Sequence, residues 1–136
     1  MIRTVQTEII TETIKKMCIE ANYSLSSDMV KAMRKAEEKE ESVLGKQILA
    51  QLQDNLEIAA SDMIPICQDT GMAVVFLEVG QDVHFEGGSF EDAVNEGVRR
   101  GYTEGFLRKS VVGDPILREN TKDNTPAVLH IRIVEG

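Results

Sequence analysis

The run Pro65-Ile66-Cys67-Gln68-Asp69-Thr70-Gly71 places a thiol, an amide, a carboxylate and a hydroxyl side by side. Proline at one end and glycine at the other predict a fixed turn. A thiolate can ligate a soft metal or attack as a nucleophile, and a carboxylate can carry a proton. The apolar stretch Ala73-Val74-Val75-Phe76-Leu77-Glu78-Val79 follows at once. The polar cluster is therefore expected at the mouth of a buried strand, the kind of loop on which chemistry is usually carried. The plain alternatives stand beside this reading. A lone cysteine is often a small buried hydrophobe. Asp69 and Thr70 also suit a turn before glycine, where their side chains bond the backbone.

A nucleophilic thiol needs a base within hydrogen-bond reach. The chain has two histidines, His84 and His130, and both fall on strand-like segments. A structural zinc site takes four Cys or His ligands at recognisable spacing, and no such spacing exists here. The positive charges Arg99, Arg100, Arg108, Lys109 and Arg118 gather in one segment, away from the acidic run Glu37, Glu38, Glu40 and Glu41. A guanidinium there could clamp a carboxylate through two parallel hydrogen bonds, or lie on a solvated face.

The Pro65–Gly71 motif resembles the N-terminal signature of class I, iron–sulfur-dependent fumarate hydratases and their tartrate dehydratase relatives. A second match is Leu107-Arg108-Lys109-Ser110, followed by Asp114-Pro115-Ile116-Leu117-Arg118-Glu119-Asn120-Thr121 and Asp123-Asn124-Thr125-Pro126-Ala127. With the lead-in Glu38-Lys39-Glu40-Glu41-Ser42, the resemblance covers most of the chain, and the pairing of the two motifs makes it specific.

The resemblance implies a hydro-lyase that reversibly hydrates a C4 dicarboxylate, fumarate to malate, at a 4Fe-4S cluster held by three cysteines. One iron is left for the substrate. Residue by residue, it makes Cys67 a cluster ligand. It sets Gln68 and Asp69 against the substrate, with Asp69 moving a proton, and makes Arg108 the partner of a substrate carboxylate. Asn120, Thr121, Asp123, Asn124 and Thr125 could touch substrate or order their own loop. The chain has two cysteines, and Cys18 falls on an apolar helical stripe, which suits core. It cannot hold the cluster alone. The expectation is a single domain over residues 1–136, an N-terminal fragment of an alpha subunit and inactive by itself. The remaining cysteines are expected beyond residue 136, and further groups on a beta subunit or domain. The alternatives are a tartrate dehydratase subunit or a non-catalytic assembly module.

The elements that must position these groups can be read from hydrophobic period. Apolar residues from Ile2 to Ala21 recur at helical spacing. Ser24 or Ser26 can cap a second helix with Met29, Val30, Met33 and Ala36 on its apolar face. Ser42 can cap a third, with Val43, Leu44, Ile48, Leu52, Leu56, Ala59 and Ala60 on one side. Ala73–Val79 then reads as a strand, and Ser89 opens a helix with Phe90, Ala93, Val94, Gly97 and Val98 inward. Residues 108–127 read as a long polar loop, and the run from Val128 to Val134 as a strand. The predicted class is α+β: a helical N-terminal half followed by a small sheet with one or two further helices.

Composition sets the outer limits. A chain of 136 residues, 42% hydrophobic, can bury one core, and 4% aromatic content makes that core aliphatic. A net charge of −8 argues against nucleic acid, whose phosphates are met by Lys and Arg. No apolar run approaches the roughly 20 residues of a membrane helix. Cysteine usage gives no sign of a disulfide framework, so a reducing cytoplasm is the expected setting. Homo-oligomerisation through the helical half is a further expectation.

Overall fold

The computed structural model describes residues 2–67 and 71–136. The elements run β1 (Arg3–Gln6), α1 (Thr7–Tyr23), α2 (Ser27–Lys39), α3 (Val43–Asp62), β2 (Val74–Gly80), β3 (Val83–Glu86), α4 (Phe90–Glu104) and β4 (Val128–Val134). This is the expected α+β class. The chain divides into two compact units, one of residues 2–19 with 71–136 and one of residues 20–67, and α1 runs through both.

In the first unit the start of the chain departs from expectation. Helical spacing extends back to Ile2, yet Arg3–Gln6 is a strand, parallel to β3 with Arg3 opposite Val83 and Val5 opposite Phe85. The Arg3 amide reaches the Asp82 carbonyl at 3.0 Å. Ladder bonds to a distant segment therefore decide the conformation of four residues whose own preferences are weak. The turn after β3 needs Gly87, whose φ is +103° and where a Cβ would stand 2.9 Å from the Thr7 hydroxyl oxygen.

β2 and β4 form a second two-stranded parallel ladder, in register from Val74 opposite Val128 to Gly80 opposite Val134. α4 starts where expected: the Ser89 hydroxyl accepts from the Asp92 amide at 3.3 Å. Its inner face buries Ala93, Val94, Gly97, Val98, Gly101 and Tyr102. Ile14 of α1, with Leu107 and Val111 just beyond α4, completes the buried apolar set of this unit. The Thr11 hydroxyl, itself buried, donates to the Ala93 carbonyl at 2.9 Å and ties α1 to α4. Close approach of the two helices rests on glycine, since a Cβ on Gly97 would lie 2.6 Å from the Thr11 carbonyl oxygen.

In the second unit the Ser42 hydroxyl accepts from the Gly45 amide, which caps α3 as expected. Ser26 occupies the position before α2 without a side-chain cap bond. α2 and α3 are linked by the Gln53 amide, which donates to the Glu37 carboxylate. Ala59 is fully buried, but Val43, Leu44, Ile48 and Leu52 on the expected apolar side of α3 are exposed. α2 has no buried residue.

Candidate functional site

The motif enters the structure from the second unit. Ile66 is buried and its amide donates to the Asn22 carbonyl at the end of α1, at 2.8 Å. The next amide, that of Cys67, donates to the Asn55 side-chain oxygen on α3 at 3.1 Å. Two consecutive backbone bonds thus fix the residue while its side chain is exposed. Among the described residues, Cys67 is therefore a fixed and accessible sulfur rather than a core hydrophobe. Gln68, Asp69 and Thr70 lie outside the described residues.

The second motif belongs to the first unit. Its backbone is irregular, as expected, and held almost wholly by its own polar side chains. The Asn120 amide donates to the Lys109 carbonyl at 2.9 Å, and its oxygen accepts from the Lys122 amide at 2.6 Å. One Asp114 oxygen accepts from the amides of Leu117 and Ile116, both at 2.8 Å, and these bonds lower the pKa of its carboxyl. Val112 and Asn120 form an isolated antiparallel bridge. The Asn95 oxygen of α4 receives the Ala127 amide at 2.9 Å, which brings the loop back to the start of β4.

Asn124 is the centre of this arrangement. It is fully buried, with φ 63° in the left-handed region that Asn tolerates better than most residues. Its side-chain oxygen accepts from the amides of Ser110 at 2.7 Å and Val111 at 3.1 Å. Its nitrogen donates to the Gly71 carbonyl at 3.2 Å.

Asp123 serves the same loop. Burial pushes its carboxyl up, but this is outweighed by the Thr125 amide at 3.0 Å, the Thr125 hydroxyl at 2.8 Å, the Arg99 guanidinium at 3.0 Å and the Thr121 hydroxyl. The resulting pKa is about 2. The sequence leaves residues 120–125 divided between ordering the loop and touching substrate, and in this geometry Asn120, Asp123, Asn124 and Thr125 all make bonds that order it. Convergence of several amides on one side chain is the signal, and no local pattern carries it.

The positive segment also resolves into two kinds of charge. Arg99 pairs with Asp123 and Glu96. Arg100 pairs with Glu8 at 2.8 Å, Glu12 at 2.9 Å and Glu96 at 2.8 Å. These carboxylates raise both guanidinium pKa values further. Arg108 is exposed directly after buried Leu107, and among the described residues no carboxylate pairs with it. Lys109 and Arg118 likewise pair with no carboxylate among the described residues, and Arg118 is also exposed.

Cys18 behaves as core: half-buried on α1, its thiol is pushed up to about 11 by burial. A metal-ligating thiolate is disfavoured there. His130 stacks on Phe76 with ring centroids 4.8 Å apart, and His84 is exposed on β3, so both histidines belong to the first unit's strands. Among the described residues no group of three or more His, Cys, Asp or Glu could hold a metal ion. One exposed, backbone-fixed thiol fits a single position in a shared thiolate ligand set, not a complete one.

A fumarate hydratase (Fumerase) family model matches residues 11–136. The chain belongs to this family, a family of hydro-lyases. The putative L(+)-tartrate dehydratase subunit alpha of Methanocaldococcus jannaschii is 34% identical over 116 residues, covering 85% of this chain and 40% of that protein. The anaerobic class I fumarate hydratase of Escherichia coli is 38% identical over 93 residues, covering 67% of this chain and 17% of that enzyme. Fumarate hydratase 2 of Leishmania major is 30% identical over 135 residues, covering 97% of this chain and 24% of that enzyme. The chain thus spans well under half the length of these relatives. No described helix is long and apolar enough to cross a membrane.

Proposed function

We propose that this chain is the N-terminal region of the alpha subunit, or alpha-like part, of a hydro-lyase that reversibly adds water across a C4 dicarboxylate, with fumarate to malate as the reaction. The observation that carries the reading is Cys67, an exposed thiol whose backbone is pinned by Asn55 and by its neighbour's bond to Asn22. It lies inside the segment shared with the fumarate hydratase family. A bound 4Fe-4S cluster would supply Lewis acidity toward the substrate hydroxyl, and thiolate is its usual ligand.

Cys67 gives one ligand, and the other cysteines come from polypeptide outside these 136 residues, together with a beta subunit or domain. Arg108 binds one substrate carboxylate bidentately and neutralises it, which orients the carbon chain. Gln68 and Asp69 contact the substrate, and Asp69 moves the proton at the carbon next to the carboxylate. The assembled enzyme is a cytoplasmic homo-oligomer.

The test is anaerobic reconstitution of the full enzyme with iron and sulfide. The parent should turn brown and hydrate fumarate. Cys67→Ser should lose both properties, and Arg108→Ala should keep the colour while KM for fumarate rises by roughly 10–100-fold. Full activity in Cys67→Ser would remove the ligand assignment. A non-catalytic assembly role draws support from the exposed apolar residues of α3, and it predicts that neither substitution alters turnover.

A further inference from the structure

The two family motifs are far apart in sequence, yet one buried side chain of the second bonds the backbone of both. Asn124 accepts from Ser110 and Val111, which follow Arg108 by two and three residues, and donates to Gly71, which follows Asp69 by two. All three bonds leave a side chain with no solvent exposure, so none can be exchanged for water without cost. The residue type is demanding. Two converging amides need an acceptor and one carbonyl needs a donor, and the carboxamide offers both on adjacent atoms. Among the described residues nothing lies within 4 Å of where a Cβ on Gly71 would stand, and the Asn124 amide bonds the Gly71 carbonyl.

We infer that Asn124 is a positioning residue of the reaction proposed above, on which the inference rests. It ties the backbone at Gly71, two residues along the sequence from the proposed proton-transfer group, to the backbone at Ser110 and Val111, just after the proposed carboxylate clamp. A proton-transfer group and a carboxylate clamp must meet the same small substrate, and an error of about 1 Å in their separation can cost on the order of 100-fold in rate.

The test uses the full, reconstituted enzyme with fumarate, L-malate and tartrate as probes. Asn124→Asp keeps the acceptor and shape but replaces the donor to Gly71 with an oxygen that repels it. Its kcat should fall by about 10-fold or more, with KM within about two-fold, cluster absorbance unchanged and the Ser110 and Val111 amides still slow to exchange. Asn124→Gly tolerates the same φ but removes all three bonds. It should lower kcat, raise KM and speed exchange of both amides, and it stands in should the aspartate variant not fold.

A role in stability alone would lower the unfolding temperature and leave kcat and KM of the folded fraction at parent values. That result overturns the inference while the hydro-lyase reading stands. Absence of turnover by the parent on all three probes overturns the reading, and the inference with it.

Discussion

Asp123 is the titrating group whose loss should be easiest to see. Its folded pKa of about 2 lies below the roughly 3.9 expected for an unfolded aspartate. A depressed carboxylate contributes stability that is fully present above about pH 5 and is lost as pH falls toward 2. Because the side chain is about a quarter exposed, solvent screening limits the contribution to roughly 1–2 kcal/mol. Asp123→Asn should lower the urea midpoint at pH 7, and the gap to the parent should narrow steadily toward pH 2. A gap that stays constant between pH 5 and pH 2 would mean the charge on Asp123 does nothing for the fold. The two motifs name the candidate groups, because a thiol between proline and a run of polar residues is unusual by type and order; of these, Cys67 and Arg108 are exposed, while Gln68 and Asp69 lie outside the described residues. The duties within residues 120–125 were not legible in the sequence. They depend on which amides converge on Asn124 and Asp123, and on Glu8 and Glu12 reaching Arg100 from the opposite end of the chain.

The seam between α1 and α4 is built on glycine. A Cβ on Gly97 would meet the Thr11 carbonyl oxygen at 2.6 Å and the Ile14 Cβ at 2.7 Å, and one on Gly101 would meet the Cys18 Cβ at 2.9 Å. Alanine is a better helix former than glycine by about 1 kcal/mol, whereas overpacking a tight contact costs about 1–3 kcal/mol. Here the atoms in the way are backbone and a branched core carbon, neither of which can swing aside, so the second effect should win. Gly97→Ala is expected to lower Tm by several degrees, while Thr103→Ala on the exposed side of the same helix should leave it unchanged or raise it. A higher Tm in Gly97→Ala would show that the helices can separate without loss.

The same elements show where periodicity stops being informative. α3, α4, β2 and β4 announced themselves, because each carries an apolar period or a hydroxyl cap that its own sequence determines. β1 did not. Ile2 and Val5 continue the helical stripe of Ile9 and Ile10, and the strand forms because β3, about eighty residues later, offers a ladder. The apolar side of α3 was legible as a pattern, but its exposure was not, since burial depends on what lies opposite.

Parallel strands are normally covered on both faces, and a two-stranded ladder is marginal in water by itself. On the β2–β4 ladder, however, Phe76 is 76% exposed, Ile133 62% and Ile131 49%. Phe76 stacks on His130, a cross-strand pair of the kind worth about 0.2–1 kcal/mol. The chain on its own should therefore behave as a folded protein with a sticky sheet, kept dispersed by its charge of −8. Salt that screens this repulsion should increase self-association, seen by light scattering, and an environment-sensitive apolar dye should bind even under native conditions. Phe76→Lys removes the most exposed ring of the ladder and sits two residues from Glu78, which it can pair. It should reduce both dye fluorescence and salt-induced scattering, with a stability loss of no more than about 1 kcal/mol because little buried area is given up. Unchanged scattering in this variant would place the adhesive surface elsewhere, with the exposed Val43, Leu44 and Ile48 of α3 as the next residues to substitute.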